Sequence, residues 1–218
     1  RTSSANYFSS LHLRHLRHWY DVSKISLKDI INTQHLASMN PSAGSFFVNP
    51  RYQRHFWTVS IPFPDNESLF LIYSTFLSGH LKSFKASVQE YSTSIIKAAL
   101  LIHSTVVSSF RKTAINFHYE FNIRHIANVF IGLLMSTPDK YSDPERLVRL
   151  WIHESERTYG DRLVSMEHLA TYKSAMFDLA KKSFPRFNFS KYFSGSTPES
   201  IIFCDFTTGI AGERYYDQ

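Results

Sequence analysis

The order of apolar and polar positions divides this chain near residue 64. Before that point the runs are short and alternate. Lys24-Ile25-Ser26-Leu27-Lys28 places an apolar side chain at every second position, the period of a half-buried strand or a hairpin arm. Gln34–Met39 is a second short candidate strand, stopped at Asn40-Pro41 because proline has no N–H to give to a ladder. Pro50 carries a fixed φ suited to a first helical turn and predicts a short helix over 50–56. Trp57-Thr58-Val59-Ser60-Ile61 is strand-like by residue type, and Pro62 and Pro64 terminate it.

After Pro64 the period lengthens. Asp65 or Asn66 caps a helix with Leu69, Ile72, Tyr73 and Phe76 on one face. Val88, Tyr91, Ile95, Ala99, Ile102 and Val106 recur at helical spacing and predict one long helix. Asn122 caps the next, with Ile123, Ile126, Ala127, Phe130 and Leu134 on its stripe. Asp143-Pro144 opens another, burying Leu147, Leu150 and Trp151 and setting Glu145 four residues before Arg149. A further helix is expected over 167–183. Two aromatic clusters follow, at 184–193 and 201–206, the last a short strand or an ordered strap. The pattern is that of the back part of an α/β unit, with few strands, followed by an all-α unit, helix-dominated overall.

Composition adds bounds to this picture. The 24 Lys+Arg and 18 Asp+Glu give a formal charge of +6, which fits anionic partners or an ordinary basic surface. The single Cys204 excludes an intrachain disulfide and a cysteine zinc site and suits a reducing compartment. No run reaches the roughly 18–20 apolar residues of a membrane span, and no apolar leader segment is visible, so a cytoplasmic protein is expected. The first residue is Arg1 instead of Met, as in a processed product, a fragment or an incomplete gene model. The 19 Phe, 12 Tyr and 3 Trp argue for a folded chain.

Several residues have the chemistry of a phosphate site. Asn40, at the end of an apolar run, can orient a water near a terminal phosphate, or simply be a turn residue favoured by the following proline. Arg51 and Arg54, at the end of the short helix, can reach out of the subunit toward phosphate oxygens, or be two surface arginines. Arg124 lies in the first turn of the helix capped by Asn122, where a cation opposes the macrodipole. Arginine and helix N-terminus together attract phosphate. The cradle itself is not in the sequence: none of the 7 glycines falls in a G-x-x-x-x-G-K-[ST] loop, and no apolar strand ends in paired acids for Mg²⁺. His153-Glu154-Ser155-Glu156-Arg157 begins like a zinc-protease helix, but the fifth residue is Arg, so it reads as a helix face packed on a neighbour. His12, His15 and His18 recur without acidic or cysteine ligands. No metal site is expected.

Five runs resemble dynein heavy chains, the AAA+ microtubule motors: His18-Trp19-Tyr20-Asp21; Met39-Asn40-Pro41-Ser42-Ala43-Gly44-Ser45-Phe46; Asn49-Pro50-Arg51-Tyr52-Gln53-Arg54-His55-Phe56; Phe117-His118-Tyr119-Glu120-Phe121-Asn122-Ile123-Arg124; and Leu147 through Arg162. The resemblance is to the third AAA+ module of the axonemal outer-arm beta class and covers roughly residues 15–212. It implies a truncated C-terminal part of an AAA+ α/β core over 1–64, a helical AAA+ lid over 65–183, and an aromatic tail over 184–218 leading out of the module. It also implies roles: Asn40 as sensor 1, Arg124 as sensor 2, and Arg54, with Arg51 as second choice, as an arginine finger facing the adjacent module's nucleotide.

In an intact motor the cofactors implied are ATP or ADP with Mg²⁺. The partners implied are the other AAA+ modules and the dynein complex subunits, in a cilium or axoneme. Microtubules are reached only through parts this chain lacks, and neither nucleic acid nor membrane is expected as a partner. Residues 1–14 depart from the pattern, and Arg124-His125 stands where Arg-Asp is common. Lacking Walker A and Walker B, the chain is expected to neither bind ATP tightly nor hydrolyse it alone. The alternative is a stand-alone, non-enzymatic protein that docks on AAA+ or other partners.

Overall fold

Side chains that accept orphaned amide protons set where most of the longer helices begin. The computed structural model describes residues 18–29, 31, 32, 34, 36–39, 48–193 and 201–204. The chain divides into two units, Arg1–Ile61 and Pro62–Gln218. Helix dominates, and the described strands lie in the first unit, in keeping with the fold class expected from the sequence.

In the first unit, β1 (His18–Asp21) pairs antiparallel with β2 (Ser26–Asp29), with Tyr20 opposite Leu27 and Asp21 opposite Ser26. The alternating run is thus a hairpin arm. Asp21 organises the turn. Its Oδ1 accepts from the Ser23 hydroxyl at 2.6 Å and the Ser23 amide at 3.1 Å, while Lys28 Nζ lies 2.7 Å from Oδ2. The hydrogen bonds from Lys28 and Ser23 hold the Asp21 carboxyl at a pKa of about 2. Ile25 closes the turn at φ 47, a left-handed conformation that crowds a β-branched side chain.

Two expected strands are not strands. Residues 34 and 36–39 and residues 57–61 are irregular or extended without a ladder. Trp57, Val59 and Ile61 are 93%, 70% and 87% exposed. Residue type alone does not make a strand; a hydrogen-bonded neighbour does, and none of the described residues supplies one here. The short helix α1 (Pro50–Gln53) forms where proline predicted it, but stops at Gln53 with turns continuing to Phe56.

The second unit is helical: α2 (Asn66–Leu81), α3 (Ala86–Gln89), α4 (Ser92–Ser109), α5 (Ile123–Leu133), α6 (Pro144–Thr158), a 3-10 turn (Gly160–Arg162), α7 (Met166–Ser183) and α8 (Ser190–Phe193). Asp65 caps α2 by accepting the Ser68 amide, and Asp143 caps α6 by accepting that of Glu145. Helices α2 and α7 pack on α4, and α5 packs on α6. Leu77, Ile95, Ile102, Leu133, Leu150, Trp151 and Ala180 lie at the centre of the core.

Three expectations shift. The buried face of α2 is Leu69, Tyr73, Leu77 and Leu81, while Ile72 and Phe76 are exposed; with apolar residues all round, the helix offers no unique stripe to the eye. The long helix expected across 88–106 breaks at Glu90-Tyr91 into α3 and α4. Arg149 does not pair with Glu145; its Nη1 donates to Tyr192 Oη on α8 at 3.2 Å. Beyond α8, Ile201 and Phe203 are buried, and the Ile201 carbonyl accepts from His153 Nδ1 at 3.0 Å. Among the described residues no helix is long and apolar enough to cross a membrane.

Candidate functional site

Arg124 is built by a capped helix end. Asn122 is extended, and its Oδ1 accepts the Arg124 amide at 3.0 Å. The third residue of α5 answers it: the Asn122 amide donates to His125 Nδ1 at 2.9 Å, closing a capping box with histidine in the place usual for Glu or Gln. Arg124 itself is exposed, whereas His125 is buried beneath it.

A layer of rings supports this turn. His125 lies 5.7 Å from Phe121 and 6.3 Å from Tyr159 between ring centroids. Tyr159 also meets His103 of α4, which shares a 3.0 Å hydrogen bond with its hydroxyl. Burial pushes the His103 imidazole down to a pKa of about 4, with the neighbouring His125 adding to the effect. Burial lowers His125 as well, helped by Arg162. Both rings are therefore neutral at physiological pH. The Tyr159 hydroxyl is pushed far above its ordinary range by burial.

On α6, His153, Glu154 and Ser155 are all buried. His153 Nε2 lies 4.0 Å from Glu154 Oε1, and that oxygen has no hydrogen-bond partner among the described residues. Burial lifts the Glu154 carboxyl to a pKa of about 7 and depresses the His153 imidazole. Among the described residues no group of three or more His, Cys, Asp or Glu could hold a metal ion.

Arg51 and Arg54 belong to the first unit. Asn49 Oδ1 accepts the Arg51 amide at 2.9 Å, and the Arg54 amide donates to the Pro50 carbonyl at 3.2 Å. Both side chains are exposed and lie three residues apart on one short turn, beside the Tyr52–Phe56 ring contact at 5.1 Å. Arg54 Nε reaches its neighbour His55 Nε2 at 3.4 Å. Arg124 belongs to the second unit. Asn40 lies outside the described residues.

His125 was missed as a working residue by sequence reasoning, because the capping-box pattern expects Glu or Gln. The weak signal available was an Asn followed three residues later by an acceptor, ahead of an apolar run.

Comparison with known proteins covers both halves of the chain. Residues 95–191 match the AAA+ lid domain family, and residues 12–64 match the family described as the P-loop containing dynein motor region. A flagellar outer-arm dynein alpha chain of Chlamydomonas reinhardtii is 52% identical over 198 residues, covering 91% of this chain and 4% of the relative. Dynein axonemal heavy chain 17 of Homo sapiens is 42% identical over 206 residues, covering 94% of this chain and 4% of the relative. A ciliary dynein beta chain of Tripneustes gratilla is 40% identical over 206 residues, covering 91% and 4%. The chain spans about 4% of the length of the curated relatives it matches. With the helical unit matching an AAA+ lid, the preceding segment a dynein motor region, and such identity along nearly its whole length, the chain belongs to the dynein heavy chain family.

Proposed function

We propose that this chain contributes nucleotide sensing and inter-module coupling to one AAA+ module, the third, of an axonemal dynein heavy chain, and so serves ATP-driven, microtubule-based ciliary movement. In this reading residues 1–64 are the C-terminal part of the AAA+ core, 65–183 the lid and 184–218 the way out of the module. Arg124 is the sensor-2 arginine, Asn40 is sensor 1, and Arg54, seconded by Arg51, is a finger directed at the nucleotide of an adjacent module. The partners are the other modules of the ring and the subunits of the dynein complex. The observation that carries this is Arg124: an exposed arginine in the first turn of a capped helix, within the residues matching an AAA+ lid.

Nucleotide with Mg²⁺ is the cofactor of such a ring, and the residues present do not make its cradle. The sequence contains no phosphate loop, and Arg51, Arg54 and Arg124 are exposed single side chains, suited to contact a phosphate but not to enclose it. The chemistry assigned to these residues is therefore charge recognition, and turnover requires the rest of the module.

The test is ATP turnover by an intact heavy chain carrying Arg124→Ala or Arg54→Ala. Arg124→Ala should impair the module that contains it, and Arg54→Ala the neighbour. Turnover and microtubule gliding at wild-type rates in both variants would remove the reading. A second reading, a docking protein without turnover, draws on the exposed row Trp57, Val59 and Ile61 of the first unit. Capture of AAA+ partners by this chain, lost on replacing that row with serine, would favour it.

A further inference from the structure

The first turn of α5 is held by a bond that depends on the state of one imidazole. Asn122 donates its amide proton to His125 Nδ1 at 2.9 Å. A nitrogen that accepts must hold its lone pair, so this bond requires a neutral ring with its proton on Nε2; with the proton on Nδ1 the ring would instead donate to the Asn122 carbonyl, 3.2 Å away. The ring is 5% exposed, clasped by Phe121 and Tyr159. The next residue on one side is the exposed Arg124, whose own amide is tied to Asn122 Oδ1. Asn122 is thus bonded on both sides of the turn, by its side chain to Arg124 and by its backbone to His125.

We propose that His125 is a positioning residue for Arg124: by accepting the Asn122 amide proton it fixes the first turn of α5 and with it the direction in which the guanidinium leaves the helix. This rests on the reading of Arg124 as a nucleotide sensor. The groups facing His125 are Glu120 ahead of the cap, Arg162 on the 3-10 turn, His103 on α4 and Tyr159 at the end of α6. Arg162 and burial oppose a charge on the ring; Glu120 and the backbone of Asn122 favour one. A proton on Nδ1 removes the acceptor, leaves the Asn122 amide unpaired and turns the ring nitrogen toward the Asn122 carbonyl, 3.2 Å away.

Hydrogen exchange on the ¹⁵N-labelled full chain tests this, read at the amides of residues 122–126 and corrected for intrinsic rates. In His125→Phe, which keeps a ring and loses the acceptor, protection at Asn122 should fall about tenfold, the scale of one capping bond. His125→Gln, which keeps an acceptor, should restore it. Wild-type protection should fall as pH drops below 6.5, the ordinary imidazole value, and that of His125→Gln should not. Wild-type protection in His125→Phe, or equal loss in the Phe and Gln variants, would overturn the proposal.

The sensor reading is judged separately in an intact heavy chain. If Arg124→Ala leaves ATP turnover unchanged, the sensor reading falls, and the positioning role with it, whatever the exchange shows. If Arg124→Ala lowers turnover and His125→Phe does not, the sensor stands and the positioning role is overturned. Lowered turnover in both, rescued in His125→Gln, supports both.

Discussion

Glu154 rests on Gly132. A Cβ added to Gly132 would stand 2.1 Å from Glu154 Cδ and 2.5 Å from its Cγ, so the carboxylic side chain of α6 occupies the space a larger residue on α5 would need. Because Glu154 is buried, it cannot swing into water to make room. Gly132→Ala should destabilise the helical unit by about 1–3 kcal/mol, the usual cost of overpacking, partly offset by the better helix propensity of alanine. The double variant Gly132→Ala/Glu154→Ala should be more stable than the sum of the single changes predicts. Urea denaturation of the four proteins measures that coupling.

Glu154→Gln should reveal the carboxyl through pH. The folded-state pKa is raised to about 7 from 4.5, so the protonated form is favoured by folding. Its stabilising contribution is complete below 4.5 and is lost as pH rises through 7. The amide, which never ionises, should make the protein more stable than wild type at pH 8 and leave it nearly unchanged at pH 4.5. Denaturation midpoints compared at the two pH values decide the matter; an equal effect at both would refute it.

The buried histidines act with the opposite sign. His103 is held down to about 4 from 6.5, and His125 and His153 are lowered too. Their contribution is present above 6.5 and is lost as pH falls through the depressed folded values, because the unfolded chain takes up protons first. Between 4.5 and 6.5 they and Glu154 oppose each other. His103→Phe should lessen the acid loss while costing about 1 kcal/mol at pH 7 for the hydrogen bond to Tyr159. Thermal melting from pH 7.5 to 4 shows both effects.

Ile25→Asn should stabilise the first unit. Ile25 is 78% exposed and sits at φ 47, where asparagine is tolerated and a β-branched side chain is strained. A gain of about 1 kcal/mol is expected, read as increased amide protection across the Tyr20–Leu27 pair. Ile25→Val, branched in the same way, should gain nothing.

What the sequence disclosed was whatever depends on neighbours close in the chain. Asp65, Asn122 and Asp143 each precede an apolar periodic run, and each caps the helix expected of it. The turn positions of Arg51, Arg54 and Arg124 were legible for the same reason. Features set by distant contacts were not. The segment at 57–61 has strand residues but no partner among those described. The α2 helix is apolar all round, so only packing tells Leu77 from Phe76. Glu154 was read on a helix face packed against a neighbour, and it is buried there; that the neighbour is Gly132 of α5, whose missing side chain leaves the space for the carboxyl, shows only in the packing. Asn40 falls outside the described residues.

The hydrogen bond from His153 to the Ile201 carbonyl has a mechanical consequence. Phe203, 5.6 Å from the His153 ring and stacked on Tyr141 at 6.2 Å, pins the same stretch a second time. A pull on the backbone at Cys204 is therefore borne first by α6, the helix that also carries Glu154, and through Gly132 by α5, at whose other end Arg124 stands. A force applied at the strap therefore works against the same packing that holds the helix of Arg124 in place.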